Sequence, residues 1–379
     1  MLQNKPTCSA PLLLHCLLVI LMLAFSTPLK AQFWEKVFKD EEEKKQGFAI
    51  LPLLYYTPDT RFGYGLMGAY YFKADKDTAS DTRLSYTKAL ADYTQNDQID
   101  VWQSWEIFTK EEHFLLKGEF RYRNFPDRFY GVGNRTPEAA EEFYSYDFIN
   151  LKKLVLRRIG DGIFIGGDLQ FTHFFNLDFS RSQTLSDGAI TGTAQRSSNS
   201  SGLGAVFLID RRDNVVAASE GIYFEIASYF FEPAFGSDFH YQHYSIEFRN
   251  YHHLGNNHII AFNALSTLNF GEVPFITMSF VGGEQMLRGY PQNRYRDRHF
   301  VGSQAEYRFP LIGRLGGVSF LGLGEVFEQS RQVTWSNLKY SYGAGLRFAI
   351  NKRERLNLRF DYAFGRDSQT FYFTLTEAF

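Results

Sequence analysis

The run Arg355-Leu356-Asn357-Leu358-Arg359-Phe360-Asp361-Tyr362-Ala363-Phe364 decides the fold. Leu356, Leu358, Phe360, Tyr362 and Phe364 occupy alternate positions, and Asn357, Arg359 and Asp361 fall between them. Period-two alternation is the geometry of a β-strand, whose successive side chains point to opposite faces. The apolar, aromatic face suits lipid, and the charged face must look into a lumen. A one-residue register slip would turn Arg359 and Asp361 into lipid, costing about 2 to 4 kcal/mol for an arginine near the midplane.

The same alternation recurs from Phe48 onward in sixteen runs separated by Gly, Asn, Asp and Pro, starting near 48, 62, 83, 98, 113, 143, 162, 201, 219, 238, 257, 300, 316, 339, 355 and 369. The expected fold is all-β: a 16-stranded antiparallel transmembrane β-barrel of the outer membrane spanning residues 48–379. The longest connections, near 124–142, 176–200 and 271–299, follow the fifth, seventh and eleventh runs. With both chain termini in the periplasm, all three face outward, as long barrel loops do.

Composition agrees. Aromatic residues make up 17% of the 379, with 39 Phe and 23 Tyr, while mean hydropathy is only -0.28. Beyond the N-terminal segment there is no apolar run of about 18 residues, which excludes a helical membrane protein. A net charge of -2 shows none of the basic excess a phosphate backbone recruits, so nucleic acid is excluded as a partner. Cys8 and Cys16 are the only cysteines, so neither a disulfide framework nor a cysteine metal site is available.

Residues 1–31 read as a signal peptide, with Lys5 ahead of the apolar stretch Pro11 to Phe25 and cleavage after Leu29-Lys30-Ala31. The stretch is short for a retained anchor, and Cys8 and Cys16 lack the small residues that precede a lipidated cysteine. Residues 32–47, with the charge run Lys39 to Lys45, read as a short periplasmic tail.

Closure of the barrel would join Phe48–Thr57 to Gln369–Phe379. The first run contains Pro52, which donates no ladder hydrogen bond, and Leu54 belongs to a stretch that is apolar on both faces, so its register is weakly specified. In the last run Phe371, Phe373 and Phe379 are expected to point outward together. A weak seam could open and template an incoming strand. The alternative is that the nitrogen of Pro52 faces no partner and the seam stays shut.

The long connection after the eleventh run contains Gly282-Gly283-Glu284-Gln285-Met286-Leu287-Arg288-Gly289-Tyr290. Leu287-Arg288-Gly289-Tyr290 resembles the (V/L)-R-G-(F/Y) motif in the sixth external loop of the BamA/TamA outer-membrane assembly-factor superfamily, the bacterial surface antigen family. Phe129 to Asn134, Asp210 to Asn214 with Gly221, and Gly302 to Pro310 are similar in order and spacing. The resemblance implies a loop folded into the lumen, where Arg288 pairs with acids on later strands, and Glu306 matches one of them. The second family acid falls on Gly322 in Phe320-Leu321-Gly322-Leu323-Gly324, and Glu325 has the opposite parity. That leaves Arg288 with a weaker anchor or one shared with another inward acid. The tail is too short for a POTRA domain, so a barrel-only member is expected.

Neither a nucleophile with its base nor paired carboxylates stand out, and no enzyme or cofactor is expected. His240, His243, His252, His253 and His258 scatter between faces and a turn, so no metal site is expected either. The resemblance implies insertion or translocation of proteins at the outer membrane. Implied partners are outer-membrane lipid and lipopolysaccharide, nascent outer-membrane proteins and other assembly-machinery subunits. A passive channel, or a structural barrel subunit of a larger complex, is the alternative.

Overall fold

The computed structural model describes residues 46–57, 61–73, 82–186, 190, 196–352 and 355–379. The expected signal peptide, and the expected tail apart from Gln46 and Gly47, lie outside the described residues.

Alternation produces strands almost wherever it occurs. In chain order they are β1 (Gln46–Thr57), β2 (Arg61–Phe72), β3 (Ser85–Thr94), β4 (Ile99–Phe108), β5 (Phe114–Phe129), β6 (Glu142–Gly160), β7 (Ile163–Asp178), β8 (Ser198–Asp210) and β9 (Gly221–Phe231). They continue with β10 (Tyr241–Gly255), β11 (His258–Gly271), β12 (Ser279–Val281), β13 (Tyr295–Asp297), β14 (His299–Ile312), β15 (Leu315–Phe327), β16 (Lys339–Asn351), β17 (Leu356–Gly365) and β18 (Ser368–Leu375). Each strand from β1 to β11 is laddered to its chain neighbours, β11 pairs with β14, and the order runs on to β18, giving one sixteen-stranded sheet. All these pairings are antiparallel. β12 and β13 form a separate ribbon inside the connection between β11 and β14, which the sequence pattern does not anticipate. β1 and β18 lie side by side, yet no ladder joins them among the described residues. The all-β antiparallel expectation is met; closure into a barrel is not part of the observed ladder.

No helix among the described residues is long and apolar enough to cross a membrane. The sheet instead presents an apolar outward row: Leu321 is 60% exposed, and Phe360 and Tyr362 are 40% and 39% exposed. On the same strand Arg359 and Asp361 are buried on the inner side, as the alternation requires.

Two expectations need correction. The connection after β5 starts at residue 130 rather than 124, because β5 stays laddered to β6 as far as Phe129, with Pro126 opposite Ser145. Phe379 does not face outward. β18 stops at Leu375, Thr376 adopts a left-handed φ of 69°, and its N–H donates to the Asn357 carbonyl at 2.8 Å. The chain then turns inward. The Phe379 ring packs 6.2 Å from the Tyr251 ring and 5.4 Å from the Arg308 guanidinium, which donates to the Phe379 carbonyl at 3.2 Å.

At the end of the sheet away from the start of β1 and the end of β18, aromatic rings converge inside. Phe275, fully buried, meets Phe129 at 6.0 Å, Tyr144 at 5.2 Å and Phe179 at 5.8 Å between ring centroids. Arg296 is buried against them and donates to the Phe275 carbonyl at 2.6 Å. Tilted and edge contacts of this kind add about 0.5 to 1.5 kcal/mol per pair beyond area burial.

If the outward row meets lipid, Leu321→Arg lowers stability in vesicles by about 2 to 4 kcal/mol, read by urea titration of the folded protein. A change within about 0.5 kcal/mol, usual for a water-exposed position, would contradict the assignment.

Candidate functional site, a loop held by a buried arginine

The connection between β11 and β14 turns into the sheet's concave side. Its tip, Leu287 to Tyr290, is buried throughout: Leu287 and Tyr290 keep 1% exposure and Arg288 none. The local sequence makes this turn possible. Gly289 has φ 113°, and a Cβ there would fall 2.6 Å from the Phe364 carbonyl carbon and 2.7 Å from the Gly365 nitrogen. Backbone on backbone at that distance admits only glycine.

Arg288 bridges two strands. Nη1 donates to Asp361 Oδ2 of β17 at 2.6 Å, and Nη2 to Glu306 Oε1 of β14 at 2.5 Å. The guanidinium also lies over the Phe320 ring of β15, 3.6 Å from its centroid. Its planar fork permits all three contacts at once, which a lysine ammonium cannot copy. The two acids carry further cations. Glu306 pairs with Arg308 at 2.8 Å and Asp361 with Arg347 at 2.5 Å. Glu377 links Arg347 at 2.7 Å to Arg308 at 3.8 Å. The result is a closed ring of alternating charge, Arg288, Glu306, Arg308, Glu377, Arg347 and Asp361, with three charges of each sign. Charges this deep cannot rely on water, so each needs its neighbours.

The rest of the tip is bonded to the last strands. Ser341 Oγ of β16 donates to the Arg288 carbonyl, Ser368 Oγ of β18 to the Gly289 carbonyl at 2.7 Å, and Tyr372 of β18 to the Tyr290 carbonyl at 3.3 Å. Tyr290 donates to the Tyr340 carbonyl at 2.9 Å, and burial pushes its phenol up to about 12, so it stays a donor. Gly322 is the departure from the family pattern, and the structure gives a reason. A Cβ at Gly322 would lie 3.2 Å from Leu287 Cδ2, and one at Gly324 2.7 Å from Leu287 Cδ1, so this stretch of β15 seats Leu287.

The structure brings Leu287, Arg288, Gly289, Tyr290 and Glu306 together. Asp361 fills the role sequence comparison left open, and its inward parity on β17 was visible in the alternation. Glu377 carried no such signal, because it follows the break at Thr376. Glu325 contacts neither Arg288 nor the ring; it is buried and accepts from Asn134 Nδ2 at 2.6 Å. The segment Phe129 to Asn134 therefore serves as a brace: Gly133 N–H donates to the Arg296 carbonyl at 2.6 Å, tying the connection after β5 to the one between β11 and β14.

The residues expected at the seam are placed less uniformly. Pro52 is exposed and sits opposite Leu66 of β2. The Leu54 side chain lies outside the described residues, and its backbone pairs with Tyr64. Phe371 and Phe373 lie opposite Tyr362 and Phe360 on the outward row. The histidines stay apart: His240 meets Glu232, His243 meets Asn269 and His258 meets Tyr307, and no metal-binding group of three forms among the described residues.

The Omp85 superfamily domain matches residues 56–379. Among solved structures, the fold is similar to BamA from Haemophilus ducreyi lacking POTRA domains 1–3, with TM-score 0.57 and 14% identity, covering 89% of this chain and 71% of that one. CdiB from Escherichia coli gives TM-score 0.60 at 10% identity, and CdiB from Acinetobacter baumannii 0.55 at 10%, each over 89% of this chain. The chain spans 63% and 60% of those two CdiB chains. A search of curated proteins by sequence finds no match.

Gly289→Ala should undock the tip and expose Arg288 to trypsin. Cleavage after Arg288 is expected to accelerate at least about tenfold, the equivalent of roughly 1.4 kcal/mol of lost docking. An unchanged cleavage pattern, followed by mass spectrometry of the fragments, would show that the tip is not held as described.

Proposed function

The chain belongs to the Omp85 superfamily, and on that premise we propose that it closes into a sixteen-stranded outer-membrane barrel that inserts or translocates other proteins. Members of this family are outer-membrane assembly or transport proteins rather than enzymes. The proposed action is strand templating at a lateral seam between β1 and β18, with nascent outer-membrane proteins as clients. No chemical step is involved; the free energy comes from ladder hydrogen bonds offered to a strand that lacks them.

One observation carries the reading: fifteen ladders are continuous from β1 to β18, while these two strands lie side by side without one. An edge that is near its partner but unpaired is where an incoming strand costs least to accommodate. Pro52 in β1 supports it, since proline within a sheet is confined to edge strands. The passive channel, the competing reading, needs a continuous water path. Against it stand the docked loop tip and the aromatic cluster around Phe275.

Cysteine pairs scanned along β1 and β18 test the mechanism, because the only native cysteines, Cys8 and Cys16, precede the sheet. In vesicles, the reduced protein should speed insertion of an added unfolded barrel protein, and oxidation of a seam pair should slow it at least about tenfold, reversibly, as loss of one templating edge requires. The reading fails if reduced protein gives no acceleration over protein-free vesicles, or if acceleration survives oxidation.

A further inference from the structure

Among the described residues the outward rows of the sixteen strands carry little charge, and the exposed cations without a partner fall on one strand. On β6 the outward row reads Ile149, Leu151, Lys153, Val155, Arg157, Ile159. The ladders fix this parity. Lys153 lies opposite Gly118 of β5 and Leu169 of β7, and Arg157 opposite Phe114 and Ile165. Phe114, Ile165 and Leu169 are 42%, 47% and 41% exposed, whereas Leu156 on the inner side of β6 is fully buried. Both cations are exposed, and neither has an ion pair or hydrogen bond among the described residues.

Other charged residues of outward parity are accounted for at the opposite rim. Arg128 pairs with Glu141 at 3.1 Å, Asp147 is buried and accepts from Asn176 at 2.7 Å, Glu325 is buried against Asn134, and the anion Asp178 is exposed at the end of β7 and accepts from the Ser180 N–H at 2.9 Å. Lys153 and Arg157 instead lie in the half of β6 that ends at Gly160, the same end of the sheet as the start of β1 and the end of β18. They are about 13 Å apart along the strand, at roughly 3.3 Å per residue. Beside Lys153 the Trp105 indole lies across Gly118, so close that a Cβ there would fall 2.0 Å from the ring. An indole next to a long basic side chain is the pairing found where hydrocarbon meets headgroups.

An unpaired cation facing hydrocarbon is costly, and two on one face, with none elsewhere among the described residues, call for an anion in the membrane. We propose that Lys153 and Arg157 form a binding site on the outer wall of β6 for the headgroup phosphate of an anionic phospholipid. Phe114, Val155, Ile165 and Leu169 form the apolar surface along which its acyl chains lie. The proposal rests on the membrane-barrel reading of the chain.

The test reconstitutes the protein in nanodiscs of equal phosphatidylglycerol and phosphatidylcholine, then counts lipids retained on the released protein by native mass spectrometry. Wild type should retain phosphatidylglycerol preferentially, with the preference falling roughly fivefold for each of Lys153→Gln and Arg157→Gln. Lys152→Gln, on the inner side, and Lys153→Arg should leave it intact. A wild type without preference, or a double variant that keeps it, overturns the proposal. So does a photocrosslinker at position 153 that captures an acidic protein segment and no lipid in native membranes. Failure to enter bilayers at all, scored separately by heat-modifiable gel migration, would instead overturn the barrel reading.

Discussion

A fully buried guanidinium at the tip of a long connection is the constraint on which the arrangement depends. Arg288 cannot lose its charge, and with no exposed surface it cannot borrow water, so protein groups must surround it completely. Glu306 and Asp361 supply the charge, Phe320 the ring face, and Ser341 takes the adjoining carbonyl. Those partners come from four strands. Once the guanidinium is placed, the tip, the spacing of β14 to β17 and the inward turn of the chain end at Glu377 are placed with it.

Such a ring contributes geometry more than stability. Replacing a buried ion pair by well-packed apolar residues is often neutral or stabilising, whereas removing one member strands the others at about 3 to 5 kcal/mol. The ring therefore tolerates one arrangement and penalises the rest. It also couples distant parts, since Ser368 and Tyr372 of β18 hold the same tip that Arg288 anchors on β14 and β17. The connection between β11 and β14 is thereby tied to β18, one of the two strands of the proposed seam.

Much of this was legible in alternation alone. The faces of β17 are legible from Leu356 to Phe364, because its row of apolar side chains never breaks. The sixteen starts fell near the observed ones wherever Gly, Asn or Pro marked a turn. What escaped were features without a period: the ribbon of β12 and β13, the extension of β5 past Pro126, and the left-handed Thr376 that turns Phe379 inward. The motif around Arg288 located Glu306, but Asp361 emerged only when the ladder set β17 beside the tip. The vacancy at Gly322 makes sense once Leu287 is seen to occupy it, a contact between residues far apart in sequence that no spacing rule conveys.

Conductance across a planar bilayer tests most directly whether Arg288 holds the loop inside the lumen of the proposed barrel. Wild-type protein should carry little ion current, and Arg288→Ala should carry a larger, fluctuating one as the freed tip leaves and re-enters the lumen. A large, steady wild-type current that the substitution leaves unchanged would contradict the account and favour an open channel.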